Sequence, residues 1–291
     1  MTTPAPQAAG APVTTSSFQQ VLWPPDVAQM VNLLLGGSPF AASLTRYPTA
    51  RHEVAWPTAA PDQPVWTAEG APLPVIGLHD AASIVATAKL GEILMLSNEA
   101  VADTTVNLTM QVGNLLKDAA GPELDRGLLY GNPPTVPAEP KGVVPIATAV
   151  DGTALDVAIT TAVGQIGDAG GAANHLAAKP SLLAKWRNLR DTQQRPLYPD
   201  GIGALFGLTE VGVPNLADTL VYDASRMYFV IRTQDFEVAI SQEYAFASDS
   251  VAVRVRGRFA VGCPAPGKTL RKITVAGVAP TLEDRPARKA A

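Results

Sequence analysis

Disulfides, metal clusters and membrane spans are what this chain has least material to build. Its single cysteine, Cys263, leaves no partner for an internal disulfide framework and suits a reducing compartment. His52, His79 and His175 are isolated in sequence, and no Cys/His group shows metal-ligand spacing. No apolar run approaches membrane-spanning length, and no basic stretch followed by an apolar one marks a signal peptide. Charge is scarce as well. Only 16% of the 291 residues are charged and the net charge is −4, so there is no electrostatic case for tight nucleic-acid binding. Nor does the sequence contain a serine nucleophile elbow or a local Cys–His pairing. What it has instead is 47% apolar residues, a high share for a free-standing monomer with so little charge. Arginine outnumbers lysine fourteen to eight, a lean toward residues enriched at protein interfaces. The length allows one domain or two around a large core.

The most regular stretch runs from Ser97 to Gly131. Val101, Thr105, Leu108, Val112, Leu115 and Ala119 recur at steps of four and three, the spacing of one helix face. Ser97 or Asn98 caps its start, Glu99 and Asp103 suit the positive end of the dipole, and Gly131 stops it. From Glu99 to Ala120 this predicts a rod of roughly 33 Å. Gly121-Pro122 then kinks or splits it, because proline lacks an N–H and crowds the preceding turn. The opposite face carries Asn107, Gln111 and Asn114, uncharged residues that suit a face covered by something else.

Residues 1–17 are rich in Ala, Pro, Thr and Ser and have too little apolar content to order themselves. Pro25-Asp26 opens a short helix carrying Val27, Met30, Val31, Leu34 and Leu35, ended by Gly36-Gly37. From Arg46 to Asp80 six prolines exclude helix, yet Trp56, Trp66, Val65 and Ile76 are too apolar for a solvated linker. This predicts an extended, two-stranded excursion that lays its tryptophans on another surface. Ile84–Leu96 is extended. Helices are expected at Leu155–Ile166 and Ser181–Arg190, with a short strand at Ala172–Ala177. Strands follow at Leu220–Tyr222, Met227–Arg232 and Glu237–Ile240. Val251, Val253 and Val255 then alternate with Arg254, Arg256 and Arg258 at a clear period of two. These arginines line one sheet face, either answered by Asp235, Glu237 and Glu243 or turned to a neighbouring subunit. The fold class is α+β.

Two glycine-rich stretches invite a nucleotide-binding reading. Gly262–Thr269, GCPAPGKT, satisfies the phosphate-loop template G-x-x-x-x-G-K-[ST], which works by aiming consecutive N–H donors into a concavity. Here Pro264 and Pro266 remove two of those donors, and RKITVAGVAP does not supply the long helix that should meet the phosphate. A turn after the last sheet strand explains it better. Gly201–Gly207 imitates a dinucleotide loop but follows YPD rather than an apolar strand, and is expected to be a flexible connection.

Six stretches in collinear order resemble the tailed-phage major capsid family with the Hong Kong 97-type fold. They are VWTAEG (65–70), KLGEILMLSNE (89–99), LLYGNPP (128–134), AAKPSLLAKWRNLRD (177–191), LVYD (220–223) before MYFVIR (227–232), and RVRGRFAVGCPA (254–265). The resemblance implies an N-terminal arm (1–36), an extended loop with flanking strands (37–88) and a peripheral domain with its spine helix (89–140). An axial domain (141–235) and a return to the peripheral sheet with the C-terminal tail (236–291) complete it. It implies a non-enzymatic major capsid protein that self-assembles as pentamers and hexamers into an icosahedral shell around double-stranded DNA. The shell is assembled in the host bacterial cytoplasm and ends in the virion. Trp56, Trp66 and Glu69 on the loop, and Arg254, Arg256 and Arg258 on the sheet, are its expected subunit-interface residues. No cofactor, metal or membrane is implied; a separate scaffolding protein, a portal and a cementing protein are the implied partners. The alternatives are an encapsulin-type compartment shell and, from another class, a nucleotide-binding enzyme using Gly262–Thr269.

Some members of that family weld neighbouring subunits through a loop lysine and an asparagine in the peripheral domain. Here no lysine lies between Arg46 and Ala88, and no asparagine follows Asn215. Cohesion is therefore expected to be entirely noncovalent. Particles boiled in denaturing detergent should run as a single band near 30.3 kDa. A ladder of higher species that survives detergent and reductant would overturn this.

Overall fold

The computed structural model describes residues 31–32, 34–57, 66–70, 72, 82–98, 108–132, 137–152, 154–245 and 248–275. Residues 31–32 and 34–36 are helical, followed by a short helix α1 (Pro39–Ser43) and strand β1 (Thr45–Thr49). Strands β2 (Glu53–Pro57) and β3 (Ala82–Ala86) form an antiparallel pair, and β4 (Ala88–Ser97) and the long helix α2 (Leu108–Tyr130) come next. The chain continues through β5 (Thr148–Gly152), α3 (Leu155–Asp168), β6 (His175–Ala178), α4 (Pro180–Arg187), α5 (Ile202–Leu205), β7 (Thr209–Gly212) and β8 (Thr219–Tyr222). It closes with β9 (Tyr228–Arg232), β10 (Glu237–Ala245), β11 (Ser250–Gly262), the single turn α6 (Pro266–Thr269) and β12 (Leu270–Val275).

Among the described residues, ten of these strands form a pair of five-stranded sheets, and β2 and β3 stand as a two-stranded sheet of their own. In the first, the order is β1-β9-β11-β10, with β4 on the other side of β11. In the second, the order is β5-β12-β8-β6-β7. The period of two in β11 has its expected consequence: Val251, Val253, Val255, Phe259 and Val261 are buried, and Arg254 points to solvent. That buried face joins Leu124, Leu128 and Leu129 of α2, Phe40 of α1, and Leu220 and Tyr222 of the second sheet in one core. The other face of the second sheet has a core of its own. There Ala158, Ile159, Ala162 and Ile166 of α3 and Leu183 and Trp186 of α4 cover Val150, Leu176, Val221 and Ile273. The apolar spacing of α3 places all four of its core residues on one side.

Helix α2 continues through Pro122 to Tyr130, so of the kink or split expected at Gly121-Pro122 the split does not occur. Packing outweighs the lost hydrogen bond there. A Cβ on Gly121 would lie 2.5 Å from the Gly37 carbonyl carbon, and one on Gly37 would lie 1.9 Å from the Lys117 oxygen. The paired glycines let the preceding helical segment cross α2 at backbone contact. Asn215 donates from its side-chain amide to the Pro122 carbonyl at 3.3 Å. The Tyr130 hydroxyl accepts the N–H groups of Ala217 (2.8 Å) and Asp218 (3.2 Å), tying the helix end to the approach to β8. Residues 99–107, where the predicted helix would begin, and the start at Pro25 of the earlier one lie outside the described residues.

Several sequence expectations change. The predicted helix Ser181–Arg190 is Pro180–Arg187, ending before a turn in which Arg190 bridges Pro196. The expected strand Ala172–Ala177 is His175–Ala178. Gly201–Gly207 is not a flexible connection, since it contains α5, whose Gly203 N–H is bound by Glu210 at 3.0 Å. The sheets also cross the expected segment boundaries. Tyr228–Arg232, placed in segment 141–235, pairs in the first sheet, and Leu270–Val275, placed in 236–291, pairs in the second. Strand type was a local matter; sheet membership depended on which edge the chain reached.

The described part of the N-terminal segment is locked to α2 by a buried carboxylate. Asp125 is 1% exposed and accepts the Ser38 hydroxyl and the N–H groups of Phe40 (3.0 Å) and Ala41 (3.1 Å). It thereby caps α1 from another helix, where Ser38, the residue in the cap position, makes no side-chain cap of its own. Burial pushes the Asp125 pKa up to about 6 from 3.8, against the opposing pull of those three donors. A raised carboxyl pKa means the folded state holds its proton more tightly than the unfolded chain does. Its contribution to stability therefore grows as pH falls from about 6 to about 4, by on the order of 3 kcal/mol, and is lost as pH rises through 6. Thermal melts of wild type and Asp125→Asn across this range should show a gap that widens toward pH 4. A gap independent of pH would refute the assignment.

Candidate assembly interface

The side of the first sheet away from the core is built by the even-numbered residues of β11. Arg254, Arg256 and Arg258 share it with their cross-strand neighbours on β4, since Lys89 sits opposite Arg258, Gly91 opposite Arg256 and Ile93 opposite Arg254. On the other flank Glu237 of β10 is opposite Arg256. Glu237, only 9% exposed, takes Arg254 at 3.1 Å through one oxygen and Arg256 through the other. Asp235 meets Arg232 and Arg258, each at 2.9 Å. The arginines are thus answered across the sheet by Asp235 and Glu237. Their side chains still remain 50%, 41% and 35% exposed at 254, 256 and 258. Such partly exposed pairs contribute little to stability, about 0–1 kcal/mol each. Their main effect is to hold the guanidinium groups in place.

Among the described residues, five cations, Lys89, Arg232, Arg254, Arg256 and Arg258, share this face with the two carboxylates that pair with them, Asp235 and Glu237, on a chain that is acidic overall. Beside them Ile93 is 51% and Met95 55% exposed, so the patch combines charge with apolar surface. The period of two in the sequence marks the arginines but not Ile93 or Met95. In KLGEILMLS both faces of β4 are nearly apolar, and the alternation that marks an exposed face is absent.

At its other end the same face is covered by the β2–β3 hairpin. Val54 and Val85 pack on Val230 and Ala260, with Trp56 beside them. The Trp56 ring stacks on Tyr228 with centroids 5.6 Å apart and 11° between planes, and Tyr47 closes against it at 5.7 Å. Gly262 lies directly beneath, where a Cβ would come within 2.5 Å of the indole. Trp56 therefore rests on its own chain's sheet. Trp66 is different: it is 101% exposed, and Glu69 is exposed at the turn it forms with Gly70. The rest of the excursion, 58–65, 71 and 73–81, lies outside the described residues. The structure thus separates an anchored base from a presented tip, a distinction the sequence did not make.

The phosphate-loop lookalike is not built as one. Thr269 is 1% exposed, and its hydroxyl donates to the Ala265 carbonyl at 2.9 Å and meets the Cys263 sulfur at 3.0 Å. Strand β12 follows immediately, pairing with β5 and β8. Burial raises the Cys263 thiol to about 11, so it is no reactive thiolate. Among the described residues no His/Cys/Asp/Glu cluster could hold a metal ion, and no helix is long and apolar enough to cross a membrane.

Comparison with known proteins bears on the whole arrangement. The model of the phage capsid family matches residues 20–266, a span that includes most of both sheets. No curated protein matches. Among solved structures, a chain from Mycobacterium phage Adephagia is 20% identical with a TM-score of 0.65, covering 82% of this chain and 90% of its own. One from Microbacterium phage Oxtober96 is 22% identical with a TM-score of 0.64, over 82% and 91%. The capsid of a native GTA particle computed with C5 symmetry is 13% identical with a TM-score of 0.62, over 83% and 91%.

The contrast between the tryptophans can be measured on the unassembled chain. Trp56→Ala should lower its unfolding free energy by about 3 kcal/mol, the usual cost of deleting a packed aromatic. Trp66→Ala should change it by less than about 0.5 kcal/mol. Equal effects in chemical denaturation would contradict the placement of the hairpin.

Proposed function

The chain belongs to the phage capsid family and has its Hong Kong 97-type fold, and on that premise we propose that it forms pentamers and hexamers of an icosahedral shell enclosing double-stranded DNA. The family match across residues 20–266 carries this reading. In it the protein is a structural component of the virion, put together in the host cytoplasm. The first sheet with α2 is the peripheral part, the second sheet with α3 and α4 the axial part at the symmetry axes, and the β2–β3 excursion the extended loop over a neighbour. A scaffolding protein, a portal and a cementing protein complete the assembly.

The physical support lies in what a single copy leaves unsatisfied. Trp66 is presented with no cover, and large exposed aromatics are typical interface anchors. Leu189, Leu197 and Leu205 are 43%, 49% and 64% exposed around the α4–α5 region, a second apolar surface suited to subunit contact. Low charge lets copies approach without strong repulsion. No part of this requires a grip on DNA, which a shell can confine by enclosure alone.

Electron microscopy of the purified protein, with scaffold and portal components supplied, should show closed shells tens of nanometres across. Trp66→Ala should weaken each copy's contact by about 2 kcal/mol and depress shell yield without altering the monomer fold. A chain that stays monomeric at high concentration under these conditions would overturn the proposal. Shells filled with a cargo enzyme in place of DNA would favour the compartment alternative.

A further inference from the structure

We propose that β5, α3 and β12 form a unit that opens and closes separately from the first sheet, and that its closing makes a subunit competent to join a shell. The second half of this rests on the shell reading above; the first half does not depend on it.

Topology is the first support. Strand β12 lies between β5 and β8, parallel to the one and antiparallel to the other. Among the described strands β5 pairs with β12 alone, so it reaches its sheet only through the last described strand of the chain. With β12 withdrawn, β5 would stand about 10 Å from β8, two strand spacings away. Helix α3, whose Ala158, Ile159, Ala162 and Ile166 cover Val150, Val221 and Ile273, would then bridge a gap. The first sheet depends far less on this strand. Its buried face is closed by α2, and Leu270 is the residue of β12 that joins that core.

The second support is that the unit is held less firmly than the centre of a sheet allows. Arg271 of β12 is 6% exposed, yet among the described residues its guanidinium meets no carboxylate. It donates to the Gln165 side-chain oxygen at 3.0 Å, the Gln165 carbonyl at 3.3 Å and its own strand's Leu270 carbonyl at 2.9 Å. The Gln165 contacts cap the last turn of α3, where the negative end of the helix dipole stands in for a counter-ion. A buried cation so compensated docks less favourably than an apolar side chain would. Helix α3 also carries Gly164 and Gly167, and a Cβ at either would meet nothing within 4 Å. Among the described residues no neighbour requires these glycines, and each weakens a helix relative to alanine.

The turn α6 supplies a fixed pivot. The Thr269 hydroxyl is bound by Ala265 and Cys263, and its carbonyl accepts the Asp223 N–H at 2.8 Å, so β12 leaves from an ordered point whether or not it is inserted. Val157, 49% exposed on the outer side of α3, belongs to the part read as axial. A subunit with this unit open therefore lacks one side of its axial surface.

Hydrogen exchange of the full wild-type chain, read by mass spectrometry, tests the first half. Segments 148–168 and 270–275 should exchange together, at least about tenfold faster than β4, β9 and β11. Gly164→Ala combined with Gly167→Ala should slow both segments about tenfold, leave the first sheet unchanged and shorten the lag before shells appear. Lys272→Pro, which removes an N–H from the central strand, should release both segments, keep the first sheet protected and leave the chain unassembled. Exchange of all strands at one rate in the wild type, or slowing confined to α3 in the alanine variant, would overturn the unit. An unchanged lag in the alanine variant, or normal shell yield from chains whose unit is released, would overturn its part in assembly. Absence of shells from the wild type would remove the shell reading and the assembly role with it, while coupled exchange of the two segments would still uphold the unit.

Discussion

Strand β11 hydrogen-bonds β4 along one edge, while β10 and then β9 share the other. Its alternation of valine and arginine decides at one stroke which side of the first sheet becomes core and which stays outside. A slip of one residue would turn Arg254, Arg256 and Arg258 into the core and expose Val253 and Val255. The cost of burying unpaired guanidinium groups makes that register untenable, so the strands paired with β11 inherit a fixed register. Through the turn α6, whose Thr269 is held by Ala265 and Cys263, the same chain passes directly into β12 of the second sheet. The two sheets are joined by an ordered turn.

What connects helix α2 to this frame is a set of polar contacts inside an otherwise apolar core. Asp125 caps α1 and Tyr130 holds the segment before β8. Phe40 packs edge-on against Tyr222 at 5.7 Å, and the Tyr222 hydroxyl meets Ser43 at 2.7 Å. Apolar burial supplies most of the favourable free energy in such a core but is indifferent to direction. A carboxylate with three donors in the right places is not, and it specifies where α1 begins relative to α2. A buried charge is expensive, and the raised pKa of Asp125 is the visible form of that expense.

The outward face follows a different logic. Where the hairpin base covers it, aromatic stacking over Gly262 makes it part of the monomer. Beyond the hairpin it keeps the partly exposed arginines and a pair of exposed apolar side chains. A shell protein must be stable enough alone to fold, yet must hold back enough unsatisfied surface to be completed by its neighbours. The two tryptophans of this segment divide in the same way: Trp56 is stacked on Tyr228 of its own sheet, while Trp66 is exposed.

Much of this was legible in the residues taken by themselves. The period of two at 251–259, the helical spacing in Leu155–Ile166 and the proline-broken excursion each marked its element, because side-chain polarity records which face meets water. The collinear stretches that resemble the phage capsid family pointed to the fold that the comparisons show. The residues could not show that Ser38 and Asp125, 87 positions apart, would share a hydrogen bond, or that Trp56 would settle on its own sheet while Trp66 stood free. Nor could they show that Leu270–Val275 would cross to the second sheet. Local pattern determined what each segment is, since periodicity is a property of neighbours along the chain. Tertiary structure decided what each segment touches, because register, desolvation and close backbone approach exist only once distant segments have met.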